Sequence, residues 1–410
     1  MTENATEREA RRTALIFSAA QAILGSAAPI SISVGALAGH YLLGADKSLA
    51  TAPVTAMTIG VALGALPAAS IVRELGQRNG FILGAFVTGV GGAVATLALF
   101  QASFWTFALG LLIIGLGGAF VQQYRFAAAD NASPPFKARA ISMVMAGGIV
   151  TAILGPQIVI FTREMLAPIM FAGAFVSMIG LAIVGALVLS FLRLPKSAPV
   201  MVQTTRGEPA RPLREIVSQP RFVVALICAV GSYALMSFVM TGAPLAMVGC
   251  GFTTDEATLG ISWHVMSMFG ASFFTGRLIQ RFGVETIVAF GIVLLVGCAL
   301  VALSGIALWQ FWASLVLLGL GWNFSFIGST VMVADTYRSS EKGKVQGFHD
   351  FVLFSSVAFA SLMSGTVYNA HGWNMLNWIV FPISALCLGA LVWLFWQSRR
   401  RLVRTSSAVE

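Results

Sequence analysis

The chain has 410 residues, of which 57% are hydrophobic and 10% charged, and it carries a formal net charge of +9. A soluble domain has about a quarter of its residues charged, so this composition excludes a protein that must cover its surface against water; the mean hydropathy of +0.85 agrees. What remains is a polytopic membrane protein, for which the 42 glycines are apt, because small residues let membrane helices approach closely.

The chain opens on a polar stretch, MTENATEREARR, followed by an apolar run over about 14–38. That run is too long for a signal h-region and ends without an A-x-A pattern, so it predicts a retained transmembrane helix. A bilayer core of about 30 Å takes roughly 20 helical residues. Further runs qualify over about 49–72, 80–101, 104–126, 138–161, 168–192, 222–249, 257–279, 284–305, 308–334, 345–369 and 373–397, twelve in all. Twelve crossings put both termini on one side. Of the 25 Lys and Arg residues, only Lys47 and Arg163 fall on the other side. The positive-inside rule then predicts cytoplasmic termini, in the cytoplasmic membrane of a bacterium. The net charge is thereby read as a topology signal, not as a nucleic-acid footprint. Cys228, Cys250, Cys298 and Cys387 show no paired spacing, and are read as packing residues with neither a disulfide nor a metal site.

The fourth and tenth runs contain the same frame. LLIIGLGGAF spans 111–120 and LVLLGLGWNF spans 315–324; only Gly118 and Ala119 change character, to Trp322 and Asn323. The register continues into the loops that follow. Asp130 and Lys137 match Asp335 and Lys342, Arg139 matches Lys344, and Gly76 after the second run matches Gly283 after the eighth. The expected organisation is a six-helix bundle over 1–192, a cytoplasmic linker over 193–221 and a second six-helix bundle with a short tail over 222–410. The fold class is an all-α membrane protein with twelve transmembrane helices in two pseudo-symmetric bundles.

This architecture and these loops resemble the major facilitator superfamily over essentially the whole chain. The family's loop signature, roughly G-x-L-x-D-R-x-G-R-K, is partly kept after the eighth run by Gly276, Leu278, Arg281, Phe282 and Gly283. After the second run it is reduced to Gly76 and Arg78, and the usual aspartate is Arg73 in one copy and Gln280 in the other. The glycine-proline signature of the family's fifth helix has a partial match in Gly147, Gly148, Gly155 and Pro156, a pattern commoner in exporters. The family's fourth-helix arginine falls on Leu111 and is absent. The resemblance implies two bundles around a central cavity, lined by the first, fourth, seventh and tenth helices and opened alternately to each side.

Site candidates follow from polarity inside the runs. Trp322 and Asn323, with Phe326, sit near the middle of the tenth run, where a ring and an amide suit an aromatic or amide-bearing ligand; packing and a helix-to-helix bond are the alternative. Gln21, Gln122 and Trp263 are further candidates for solute contact. Tyr233, Ser237 and Thr241, spaced by four, form one stripe that lines the pathway or bonds a neighbouring helix. His264 is the clearest titratable group within a run, suited to carrying a proton or donating to a ligand, or else bonded to a neighbouring backbone. His349 and Asp350 begin the eleventh run as a proton-linked pair, an inner gate, or solvated residues at the headgroups. Arg125 either draws an anion into the inner cavity or snorkels to the interface.

The sequence lacks a G-x-x-x-x-G-K-[ST] loop, which argues against ATP drive. It also lacks catalytic clusters and a ring of charge or a re-entrant filter, which argues against an enzyme or a channel. The reading is a secondary active transporter of a small organic solute, aromatic or amphiphilic, coupled to protons, acting as a monomer without cofactor or metal. A facilitative uniporter, an efflux antiporter for drugs or metabolites, and a solute sensor of transporter fold are the alternatives. Substrate identity and direction stay open.

Overall fold

A lipid environment leaves no water for exposed peptide groups, so each apolar window must satisfy its backbone internally and becomes a helix. The computed structural model describes residues 2–132, 136–192, 211–338 and 341–406. In chain order its helices are α1 (Thr2–Leu24), α2 (Ala27–Leu42), α3 (Ala52–Leu75), α4 (Gln77–Phe100), α5 (Phe104–Val121), α6 (Tyr124–Asp130), α7 (Lys137–Thr162), α8 (Ala172–Ser190), α9 (Leu213–Val217), α10 (Pro220–Gly249), α11 (Thr254–Phe282), α12 (Val284–Leu303), α13 (Leu308–Ala334), α14 (Lys342–Trp378) and α15 (Val380–Ser406). Among the described residues there is no strand.

Ten stretches of the described residues are long and apolar enough to cross a membrane. One of them, Lys344–Gln397, contains two crossings, because Gly372 interrupts the helix at φ 74°, ψ −172°. The 29-residue α11 supplies the twelfth; Asp255, Glu256, Arg277 and Arg281 near its ends lower its apolarity. The even number returns the chain to the end where it began. That end is called the terminal end below, and the opposite one the far end. The uncharged connections at 101–104 and 305–308 are real turns, between α4 and α5 and between α12 and α13.

Two runs read as single helices are broken. The first becomes α1 and α2, parted at Gly25 and Ser26. The fifth crossing fits against that break: a methyl on Gly155 would lie 2.6 Å from Pro29 Cγ, and Thr151 Oγ1 donates to the Gln21 carbonyl at 2.9 Å. Gly155 and Pro156 therefore sit where the first crossing bends. The fourth run becomes α5 and α6, parted at Gln122 and Gln123. Within the expected linker, α9 and the start of α10 are helical; residues 193–210 lie outside the described set.

The sequence repeat is also a packing repeat. Gly115 abuts the α3 backbone at Met57 and Gly117 abuts α4 at Thr88 and Gly84. Their counterparts Gly319 and Gly321 abut α11 at Ser267 and His264, and α12 at Gly291. Each shared frame thus wedges one helix between the second and third crossings of its own half. Gly76 and Gly283 share one conformation, φ 79°, ψ 156° and φ 85°, ψ 150°, a region open essentially to glycine alone. That is the physical reason this pair survives in both loop copies.

The first half has two apolar cores, one around Ile30, Phe107, Leu111 and Phe175 at the far end and one around Phe17, Phe81, Tyr124 and Leu189 at the terminal end. The second half has a larger core through α10 to α15 and a small cluster around Ala271, Ile287 and Phe324. Large side chains such as Leu66, Trp105, Phe161 and Trp396 remain exposed, as expected for faces turned to lipid.

The halves meet where α7 packs on α11, α3 on α14, and α2 on both α10 and α11. The described side-chain hydrogen bonds across this seam belong to its far-end half. Thr51 Oγ1 donates to the Leu362 carbonyl at 3.2 Å and accepts from the Gly365 amide at 3.2 Å. Thr366 Oγ1 donates to the Ser48 carbonyl at 3.2 Å, and Ser262 Oγ to the Ala152 carbonyl at 2.6 Å. Arg163 and Asp255 add an ion pair at 2.9 Å.

Candidate functional site at the seam

The chemistry-bearing side chains gather toward the terminal end, where Arg125 of α6 in the first half comes within electrostatic range of Tyr233 of α10 and Asp350 of α14 in the second. In α6 a helical step sends adjacent residues to different sides. Tyr124 is fully buried in its own half, 5.5 Å from the Phe17 ring and 5.0 Å from the Phe81 ring. Arg125 is turned the other way, over the Phe126 ring at 4.8 Å, and its Nε is covered without a hydrogen-bond partner. Its charge lies within electrostatic reach of Tyr233 and Asp350, both from the second half.

The second half contributes an aromatic wall. Trp322 and Phe326, four residues apart on α13, stack at 5.1 Å and 14°, the spacing that puts side chains on one helix face. Tyr233 of α10 meets both edge-on, at 5.2 and 5.0 Å, and reaches Phe354 of α14 at 6.1 Å. These are favoured aromatic geometries. The Trp322 Nε1 donor has no partner, which leaves one hydrogen bond to give. Beside the wall, His349 Nδ1 lies 3.0 Å from Asp350 Oδ1; the histidine is buried and the aspartate is 59% exposed.

The structure separates the other sequence candidates. Asn323 is fully buried, and its amide is committed to α11: Nδ2 donates to the Met268 carbonyl and to Ser272 Oγ, both at 2.7 Å, and Oδ1 accepts from Thr275 Oγ1 at 2.5 Å. Of the two residues that distinguish the twin frames, then, Trp322 enters the aromatic wall and Asn323 ties two helices. His264 is likewise fully buried between α11 and α13, its Nδ1 at 2.8 Å from the Leu315 carbonyl. Trp263 is 45% exposed. Ser237 is buried, and Thr241 sits 3.4 Å from Ser361 of α14, so the lower part of that stripe packs helices while Tyr233 alone joins the wall. Gln122 is exposed at the α5–α6 break, and Gln21 is half-buried at the α1–α2 break.

The loop residues form a separate layer at the terminal end. Asp130 and Gln123 help line a cavity of about 300 Å³ between α3, α4 and α6. Asp335 pairs with Arg221 at 2.9 Å. Arg281 lies over Phe282 at 5.3 Å. Gly276 has open space where a side chain would go, and Arg78 starts α4. The side chains of Lys137, Arg139 and Lys342 lie outside the described set.

Sequence reasoning missed Phe354 and the far-end pair Arg163–Asp255. A signal for the second existed: Lys47 and Arg163 are the two cations on the wrong side of the charge bias, and each is in use. Lys47 Nζ donates to the carbonyls of His40 and Leu43 at the end of α2, and Arg163 bridges the halves.

Comparison with known proteins places this geometry. The model of the Major Facilitator Superfamily matches residues 13–273 and 227–410. The riboflavin transporter RfnT of Brucella anthropi is 49% identical over 93% of this chain and 96% of its own length. Two uncharacterised transporters of the same family from Bacillus subtilis, YddS and YdeG, are 28% and 27% identical, each over 93% of this chain and 90% and 92% of their own lengths.

Proposed function

The chain belongs to the major facilitator superfamily, and on that premise we propose that it carries riboflavin, or a flavin of the same planar neutral type, across the cytoplasmic membrane by alternating access. The observation that carries the reading is the wall of Tyr233, Trp322 and Phe326. A heteroaromatic ring system gains most from stacked aromatic surface, and the unpartnered Trp322 Nε1 offers it a polar anchor. The likeness to RfnT supports the same solute.

The rocking units are residues 1–192 and 222–410, tethered by 193–221, and a single chain supplies both walls of the pathway. Both termini are cytoplasmic, as the basic residues argue. The far end then faces outward, and its hydrogen-bonded seam is the closed gate. Transport is coupled to protons through His349 and Asp350, a bonded pair with one member exposed. His264, fully buried and bonded to the Leu315 carbonyl of its own half, is left out of that role.

The test is uptake of labelled riboflavin into proteoliposomes containing the purified protein, with excess unlabelled flavins and unrelated aromatic solutes as competitors. Saturable uptake blocked by flavins alone is the expected result. Uptake no faster than in empty liposomes, with or without a pH gradient, would overturn the proposal.

A further inference from the structure

This inference rests on the flavin reading above. Among the described residues, the Arg125 guanidinium of the first half and the exposed Asp350 carboxylate of the second both lie within electrostatic range of Tyr233 in the aromatic wall, and they come from opposite halves. Neither belongs to the repeated frame: the residue 205 positions after Arg125 is Thr330, and the one 205 before Asp350 is Met145. Among described residues Arg125 forms no ion pair, and its Nε is covered and unpartnered. Asp350 is bonded to His349, not to Arg125. Tyr233, the edge of the wall, lies within electrostatic range of both. The rim of the site therefore offers guanidinium donors while its two formal charges cancel.

We infer that this rim sorts flavins by charge. Arg125 donates to the neutral acceptor oxygens along the polar edge of the ring system, and Asp350 cancels its pull on anions, so that riboflavin is accepted and its 5′-phosphate ester refused.

An unopposed guanidinium would do the reverse. It binds phosphate through paired, charge-assisted N–H···O bonds, and a phosphate monoester carries about −1.5 to −2 charge at neutral pH. Coulomb attraction falls only as the inverse of distance, so an ester tail anywhere near the rim would feel it. A carboxylate of opposite sign beside it offsets that attraction. A neutral carbonyl responds mainly to the short-range hydrogen bond, which Asp350 does not abolish. The wall holds the ring in either case. Discrimination falls to the charge pair, and membrane transport of the vitamin without loss of its phosphorylated cofactor form is the functional consequence.

The experiment uses the full-length protein in lipid nanodiscs at pH 7.5. Flavin fluorescence, quenched on stacking against the indole, reports the dissociation constants of riboflavin and riboflavin 5′-phosphate. Wild type is expected to prefer riboflavin by at least about tenfold, roughly 1.4 kcal/mol. Asp350→Asn should reduce that preference about tenfold, by tightening phosphate-ester binding. Asp350→Glu, which keeps the charge, should retain the wild-type ratio. Arg125→Gln should weaken riboflavin about tenfold with the quench at saturation preserved, because the wall is intact. Asp350→Ser serves as a second neutral variant should the Asn form not fold. If the neutral variants bind riboflavin yet leave the ratio where wild type has it, or if wild type binds both flavins equally, the charge sorting is wrong and the flavin reading stands. If wild type quenches neither flavin, both fall.

Discussion

Across the far end of the seam, Arg163 Nη1 lies 2.9 Å from Asp255 Oδ1 while Nη2 donates to Oδ2 at 3.3 Å. The pair joins the last turn of α7 to the first turn of α11, so it ties the two halves directly. Arg163 is held further by Glu164 at 3.2 Å, and Asp255 sits in the first turn of a helix whose N-terminus is fixed by the Thr253–Glu256 capping box. Both partners are thus positioned before they meet, which lowers the entropic cost of the pairing.

Asp255→Asn should loosen that closure. A partly exposed ion pair is worth up to about 1 kcal/mol, which corresponds to roughly a fivefold shift between two conformations. Spin labels on exposed sites flanking the far-end seam should show a longer distance population that is minor in wild type. An unchanged distance distribution would mean that the Thr51, Ser48 and Ser262 bonds hold the seam without the pair.

Trp322→Ala should lower riboflavin affinity about tenfold or more, since stacking of a base-like ring on an aromatic side chain contributes about 1–3 kcal/mol. Trp322→Phe keeps a ring but loses the Nε1 donor and should fall between. Equilibrium binding of labelled riboflavin, a readout that does not depend on the indole, measures both. Wild-type affinity in Trp322→Ala would remove the wall from the site.

Asn323→Ala should act on stability instead. It leaves Thr275 Oγ1, Ser272 Oγ and the Met268 carbonyl without the amide that now meets them. Interhelical hydrogen bonds in membranes average about 0.6 kcal/mol, and a stranded buried group costs about 1–3 kcal/mol. A clear drop in melting temperature in detergent, with riboflavin affinity within threefold of wild type, is the expected outcome. Lost affinity at unchanged melting temperature would return Asn323 to the solute site.

These two variants mark the limit of what was legible in the sequence. Periodicity, glycine placement and charge bias carried the twelve crossings, the two halves and the matched turns at Gly76 and Gly283, because each of these depends on local chain chemistry. The twin frames located one place where the halves diverge. They could not divide the work between Trp322 and Asn323, since adjacent helical residues project about 100° apart and only the packing of α13 against α11 decides which points where. The same ambiguity hid the burial of His264 beside the exposed Trp263. The broken first crossing was hidden for another reason: a Gly-Ser step with a following proline is tolerated in membrane helices, and its effect depends on the Gly155 face that receives it.

At the terminal end, the Glu341 carboxylate is fully covered and accepts from the Arg211 side chain at 2.8 and 3.0 Å, as well as from the Arg211 and Arg338 amides. The Arg211 hydrogen bond holds its pKa well below the ordinary carboxylate range. A depressed carboxylate stabilises the fold above its unfolded pKa, near 4.3, and loses that contribution as pH falls from there toward the folded value. Wild type should therefore lose melting temperature below about pH 4.5. Glu341→Gln should be destabilised at pH 7 and lose less on acidification. Parallel pH profiles for the two proteins would show that this contact does not govern acid stability.

Proton coupling gives the last prediction. A carrier driven by protons needs a group that changes protonation between its two conformations and is reached from each side in turn. His264 meets the chemical requirement, yet it is fully buried and bonded to the Leu315 carbonyl of its own half. The His349–Asp350 pair lies toward the terminal end, where the described side chains make no hydrogen bond across the seam, and Asp350 is exposed. In proteoliposomes, His264→Gln should retain riboflavin accumulation driven by a pH gradient, provided that it folds. His349→Gln and Asp350→Asn should abolish accumulation while equilibration down a riboflavin gradient continues. Accumulation that survives in both seam variants and fails in His264→Gln would reverse the assignment, and wild-type uptake indifferent to the pH gradient would make the protein a uniporter or couple it to another ion.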